Sequence, residues 1–310
     1  MENNKVEAMT ASELLLKHDL NWKIVRKDAI VDGKIAKDFK AIVREDTGEI
    51  FQFAKNRYFP WQNSDLTSSF DELVQSAGAK YTAARSYKGG RIVEIEARLP
   101  HDFEVLPGDV IETYVRMVTS HDGSMKTRIV PGMRVQWCSN GATRDEDNNA
   151  KLVAVKHTSG AEGRFKLKAK ELLADEIVYF QKAAADFRKL AACEMTNIEI
   201  DDFLVRLFDA DDKEEISTRK ENQIGEVKEL IRVGTWARRS GQKLNTAWAA
   251  FNGVTEYVDK FKSTKGDDEG NTENRDYSAL FGTGKKMREK AYELLAGYYL
   301  NIVPNDLPKV

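Results

Sequence analysis

This sequence predicts an α+β fold: an N-terminal antiparallel, hairpin-rich sheet with a packed helix, then a C-terminal helical region. Three observations carry that prediction. The first half alternates apolar and polar residues between turn-forming pairs, as half-buried strands do. From about Lys166 the apolar period changes from two to between three and four. Strands come first and helices after, without the regular interleaving of a parallel α/β sheet. The division falls at residues 1–165 and 166–310.

The elements follow in order. Turn chemistry recurs at Asp32-Gly33, Thr47-Gly48, Gly89-Gly90 and Asp122-Gly123, where glycine accepts the positive φ of tight hairpins. Ser68-Ser69, then Asp71-Glu72-Leu73-Val74, then Gly78 give the caps and early acids of a helix. In RIVEIEARL, Val93, Ile95, Ala97 and Leu99 share a face opposite Glu94, Glu96 and Arg98. In DVIETYVRMVT, Ile111, Val115 and Met117 oppose Glu112, Tyr114 and Arg116. In GMRVQWC, Met133, Val135 and Trp137 oppose Arg134, Gln136 and Cys138. One sheet face is therefore expected to be apolar and the other polar and solvated. RDEDNN, residues 144–149, reads as a polar loop, and KLVAVKH as a last strand ending at His157.

In the helical half, Leu173, Ile177, Phe180, Ala184, Phe187 and Ala191 form one stripe. Thr196 and Glu199 fit a capping box before a second helix. A third is expected over 217–234, with Ile224, Val227 and Ile231 inward. A fourth begins near Leu244 and carries Trp248, Phe251, Val254 and Val258. KSTKGDDEGNTENRD, residues 262–276, contains no apolar residue and reads as a loop. A last helix spans roughly 284–299.

Composition limits the chemistry. The chain has 310 residues, 41% of them hydrophobic, enough for one large or two smaller cores. Charged residues make up 32%, yet net charge is only −2. Nucleic-acid binding, if present, must therefore use a local basic patch. Two cysteines and four scattered histidines suit a reducing cytoplasm and offer no zinc spacing. The start, MENNKVEAMTASELLLK, is not a signal peptide, and no stretch approaches the roughly 20 apolar residues of a membrane span. A cytoplasmic protein without membrane, cofactor or metal is expected.

Each candidate site has an ordinary structural role beside its chemical one. Cys138 with His157 and Asn140 would mimic a Cys-His-Asn hydrolase, but without a specific spacing a buried strand-end cysteine is the plainer reading. No catalytic residue is assigned. GTGKK, residues 282–286, lacks the first glycine and the Ser/Thr of a phosphate loop. His101-Asp102, His121-Asp122, Asp201-Asp202 and Asp211-Asp212 repeat at no metal-ligand spacing. Interleaved basic and aromatic residues are the strongest signal. They occur at Lys55, Arg57, Tyr58, Phe59 and Trp61; at Arg85, Tyr87, Lys88 and Arg91; and at Arg232, Trp236, Arg238, Arg239 and Lys243. Cations neutralise backbone phosphates and exposed rings stack on unpaired bases. Arg57, Arg85, Lys88, Arg91, Arg238 and Arg239 are the expected phosphate contacts. Tyr58, Trp61 and Tyr87 are the expected stacking rings.

GRIVEIEARLP, VTSHDGS, RVQWCSN, VKHTSG, LNTAWAAFNGVTEYVDK and FGTG, in that order, resemble the phage/plasmid-like family of unknown function over roughly residues 51–295. Arg134, Cys138 and Asn140 match its pattern, as do Asn252, Thr255, Glu256, Tyr257, Val258 and Asp259. Lys260 stands where the family usually has histidine, which speaks against a metal or acid-base role there. The resemblance implies a mobile-element protein. A helix leading into an antiparallel meander also resembles the core of RecT-, Erf- and lambda Bet-like single-strand annealing proteins. That implies binding of single-stranded DNA in recombination or replication, by a homo-oligomer. A host-protein-binding regulator and a Cys-dependent hydrolase are the alternatives.

Overall fold

The computed structural model describes residues 9–136, 141–143, 153–158, 161–210, 216–264 and 268–300. The architecture is α+β, with antiparallel sheets and a helical C-terminal region. The chain divides into two compact units, each built from separate stretches. One comprises Met1–Pro100, Tyr114–Pro131 and Lys151–Glu176; the other His101–Thr113, Gly132–Ala150 and Ile177–Val310.

The first unit begins with helix α1 (Ala11–Lys17), closed by a Thr10–Glu13 capping box. A three-stranded antiparallel sheet follows, in the order β1 (Ile24–Val31), β2 (Lys34–Arg44), β3 (Ile50–Lys55). Its first hairpin turns at Asp32 and Gly33 with φ of 50° and 73°, the paired positive values the Asp-Gly dipeptide predicts. Helix α2 (Asn63–Ser76) starts five residues before the expected serines. Gln62 N–H donates to Asp65, and the buried Asn63 amide donates to the Leu20 carbonyl at 2.8 Å, so Asn63 anchors the true start. Strands β4 (Lys80–Tyr87), β5 (Ile92–Arg98), β7 (Asp109–Ser120), β8 (Thr127–Val135) and β10 (Val153–Val155) pair in the order β10-β8-β7-β5-β4. Ile92, Ile95, Val115 and Met117 fill the core beneath them.

The expected solvated face of these strands is a correction. Glu94 and Glu96 are fully buried, and so is Arg116. Register explains it: Arg85 lies directly opposite Glu94, and Glu96 directly opposite Arg116. Cross-strand pairing of opposite charges makes a polar row fit to bury.

The second unit holds β6 (Phe103–Leu106), paired with the start of β7, and β9 (Gly141–Thr143), paired with the end of β8. Its helices begin with the rear of α3 (Ala161–Ala192), where Phe180, Ala184, Phe187 and Ala191 are buried as the stripe predicts. Helix α4 (Asn197–Leu207) has the expected Thr196–Glu199 box, and α5 (Thr218–Val233) is capped by Ser217. Short α6 (Thr235–Ser240) leads to α7 (Ala247–Glu256), every residue of which is buried. A π-helical turn, Tyr257–Phe261, continues α7. Helix α8 (Asp268–Phe281) corrects the loop expected over 262–276: its polar composition hides a helix that packs on α9 (Thr283–Tyr299). Asp109 accepts from two buried indoles, Trp248 at 2.7 Å and Trp236 at 3.2 Å. Gly253 lies against Ile231, where a Cβ would come within 2.4 Å of its Cγ1.

Candidate nucleic-acid interface

The three-stranded sheet of the first unit has two unlike faces. Ile24, Ile42 and Ala54 are buried on one. On that side Phe51 stacks on His121 and meets Trp22 edge-on, and Gln52 donates to the His121 carbonyl at 2.9 Å. The other face follows from register, because residues directly opposite across antiparallel strands point the same way. Lys27, Ala41 and Phe53 form one row across β1, β2 and β3; Phe39 and Lys55 form the next. Lys37 lies two residues before Phe39, hence on the same side. Ala41 and Val43 are buried at one end of this face, whereas Lys27, Lys37, Phe39, Phe53 and Lys55 are exposed.

Electrostatics marks this face out. Lys40 is paired with Asp28, and Arg44 with Asp46. Lys27, Lys37, Lys55 and Arg57 have no acidic partner among the described residues. Arg57 follows β3 and is exposed, as is Phe59, whose N–H donates to the His157 carbonyl at 3.1 Å. The stretch that begins at Lys55 therefore continues the basic rim of the sheet.

The other expected contacts are placed differently. Tyr58 is half-buried and stacks on His157 with ring centres 5.1 Å apart, its hydroxyl 3.4 Å from His157 Nδ1. Trp61, expected as a stacking ring, is 4% exposed and meets Phe165 edge-on. Tyr87, expected in the same role, is 2% exposed and donates its hydroxyl to Glu94 at 2.9 Å. Neither ring faces solvent. Arg85 bridges Glu94 at 3.4 Å and Glu96 at 3.8 Å, in a network completed by Arg116, whose Nε lies 2.8 Å from Glu96 and 3.2 Å from Glu94. Burial disfavours the Arg116 charge, yet the carboxylates outweigh it and hold its pKa above the ordinary arginine value. Arg91 is matched by Glu49 and lies over the Phe51 ring. Lys88 is exposed at its hairpin tip with φ of 56°. Arg238 and Arg239 are exposed at the end of α6, in the second unit. Of the expected contacts only Arg57 adjoins this face, which adds Lys55 from the same basic stretch together with Lys27, Lys37, Phe39 and Phe53. Alternation puts Lys37 with Phe39 and Phe53 with Lys55; the same alternation would add Phe51, which the register shift between Ile42 and Val43 takes out of the row.

Two buried histidines lie behind this sheet. His121 Nε2 is 3.0 Å from Asn63 Oδ1, and its Nδ1 has no partner among the described residues. Burial lowers the His121 pKa to about 3 and that of His157 to about 4, so both are neutral. The catalytic alternative named Cys138 and Asn140, which lie outside the described residues, as does the loop over 144–149. Among the described residues, no three metal-ligating side chains form a cluster and no helix is long and apolar enough to cross a membrane.

The domain of unknown function DUF932 matches residues 51–280. No curated protein and no solved structure matches the chain. The match covers well over half of the sequence, and the chain belongs to the DUF932 family.

Proposed function

We propose that this DUF932 member binds nucleic acid, single-stranded DNA in particular, and serves recombination or replication of a mobile element. One observation carries the reading: a sheet face holding Lys27, Lys37 and Lys55, continued by Arg57, all without acidic partners among the described residues. Unpaired cations on a near-neutral protein maintain a local positive potential, and releasing counterions from phosphates rewards their contact. The buried Glu94 and Glu96, which a solvated reading would count against phosphate, are matched by Arg85 and Arg116 and so do not oppose it. No nucleotide or metal is required for such binding. Assembly of several copies along one strand belongs to the same proposal. A protein partner is the second reading, favoured by Ile30, Val31 and Ile35 exposed at the first hairpin.

Fluorescence anisotropy with a labelled single-stranded oligonucleotide tests the reading across a salt series. Each lost phosphate contact lowers the slope of log K against log salt by about 0.7. The variant Lys27→Ala, Lys37→Ala, Lys55→Ala should therefore flatten the slope by about 2. No retention of the strand at low salt, or an unchanged slope in the triple variant, rejects nucleic-acid binding at this face and leaves the protein-partner reading.

A further inference from the structure

Phe39 and Phe53 are 41% and 60% exposed on the same sheet face as the unpaired lysines. Neither makes a ring contact among the described residues. Core-facing neighbours such as Phe51 are buried, so the sheet has apolar rings where it needs them for folding and two more where it does not. The rings sit diagonally: Phe39 is opposite Lys55, and Phe53 is two residues from Lys55 on the same strand.

Resting on the nucleic-acid reading, we infer that Phe39 and Phe53 form a stacking platform for two consecutive unpaired bases, with Lys27, Lys37 and Lys55 holding the flanking phosphates. Diagonal positions across antiparallel strands are about 7–8 Å apart. That exceeds the ~3.4 Å rise per nucleotide of a stacked strand. Consecutive bases reach both rings only after unstacking from each other, which a paired duplex does not allow. Phosphate contacts alone would serve duplex and single strand alike, so the rings select the unpaired form. Every base has a π-face, hence the platform is tolerant of sequence. Charge complementarity favours this occupant over a second copy of the chain, because lysines surrounding the rings would face each other in a symmetric contact.

The experiment compares wild type, Phe39→Ala, Phe53→Ala and the double variant on three probes: a thymidine strand, the same strand with abasic sites in place of its bases, and a duplex of equal length. Stacking is worth about 5- to 150-fold in affinity per base. Each single variant should weaken thymidine-strand binding within that range. Wild type should bind the abasic strand more weakly by about the product of the two single-variant factors, and should also bind the duplex more weakly. The double variant should no longer distinguish the thymidine strand from the abasic one. Phe53→Tyr should retain the preference, separating loss of the π-face from loss of fold. Equal wild-type affinity for thymidine and abasic strands, with the salt slope intact, overturns the platform and leaves phosphate binding standing. Absence of binding to any probe overturns the nucleic-acid reading as well. If Phe53→Ala dissociates an assembly on sedimentation while strand affinity per protomer is unchanged, the rings face a second copy and the platform is overturned.

Discussion

Acid should unfold the first unit through its buried histidines before its carboxylates titrate. His121 is completely buried and His157 nearly so, and burial lowers their pKa values from 6.5 to about 3 and about 4. A histidine whose pKa is depressed in the folded state favours folding above pH 6.5. Below that, the unfolded chain binds the proton that the folded chain refuses, so stability falls as pH falls. At pH 5 each histidine costs about 2 kcal/mol relative to pH 8, and the pair about 4 kcal/mol. That is a large share of the 5–15 kcal/mol typical of a domain, roughly speaking. Urea unfolding followed by circular dichroism at pH 8 and pH 5 measures the difference, with pulse proteolysis of first-unit peptides to assign the transition. In His121→Gln with His157→Gln the pH-dependent loss should nearly vanish, whatever the variant's stability at pH 8. An equal loss in wild type and double variant would refute the argument and assign the acid sensitivity to carboxylates.

Two further outcomes follow from packing and charge. Arg116→Leu leaves Glu94 and Glu96 buried with Arg85 alone and should cost about 3–5 kcal/mol on urea unfolding. Adding Glu96→Leu should recover part of the loss, since the remaining Arg85 and Glu94 still match. Gly253→Ala places a methyl 2.4 Å from Ile231 Cγ1 and 3.1 Å from its backbone nitrogen. Differential scanning calorimetry should show a loss of about 1–3 kcal/mol.

The sequence by itself determined most of the element list. Periodicity located the strands at 92–98 and 109–120 and the stripe of α3, because a two-residue or near-four-residue repeat is a local property of the chain. Capping chemistry located the start of α4, since Thr196 and Glu199 satisfy backbone groups within three residues of themselves. Where the stabilising partner is distant in sequence, local patterns misled. Asn63 moved the start of α2 through Leu20 and His121. In α8 the polar composition hid a helix that packs on the adjacent α9 and on the π-helical turn.

The candidate site shows the same division. Its basic and aromatic residue types are visible along the chain, Lys55 and Arg57 among them. Only the tertiary structure decided which of them meet solvent. Trp61 and Tyr87 carry the same composition signal as Phe39 and Phe53, yet the first two are core residues and the second two are exposed. Arg85 and Lys37 carry the same charge, yet Arg85 is matched by Glu94 and Glu96 from the adjoining strand while Lys37 faces water. Alternation records that a strand has two faces; burial and ion pairing depend on what lies across each face, and that is set by strand register and by segments far away in the chain.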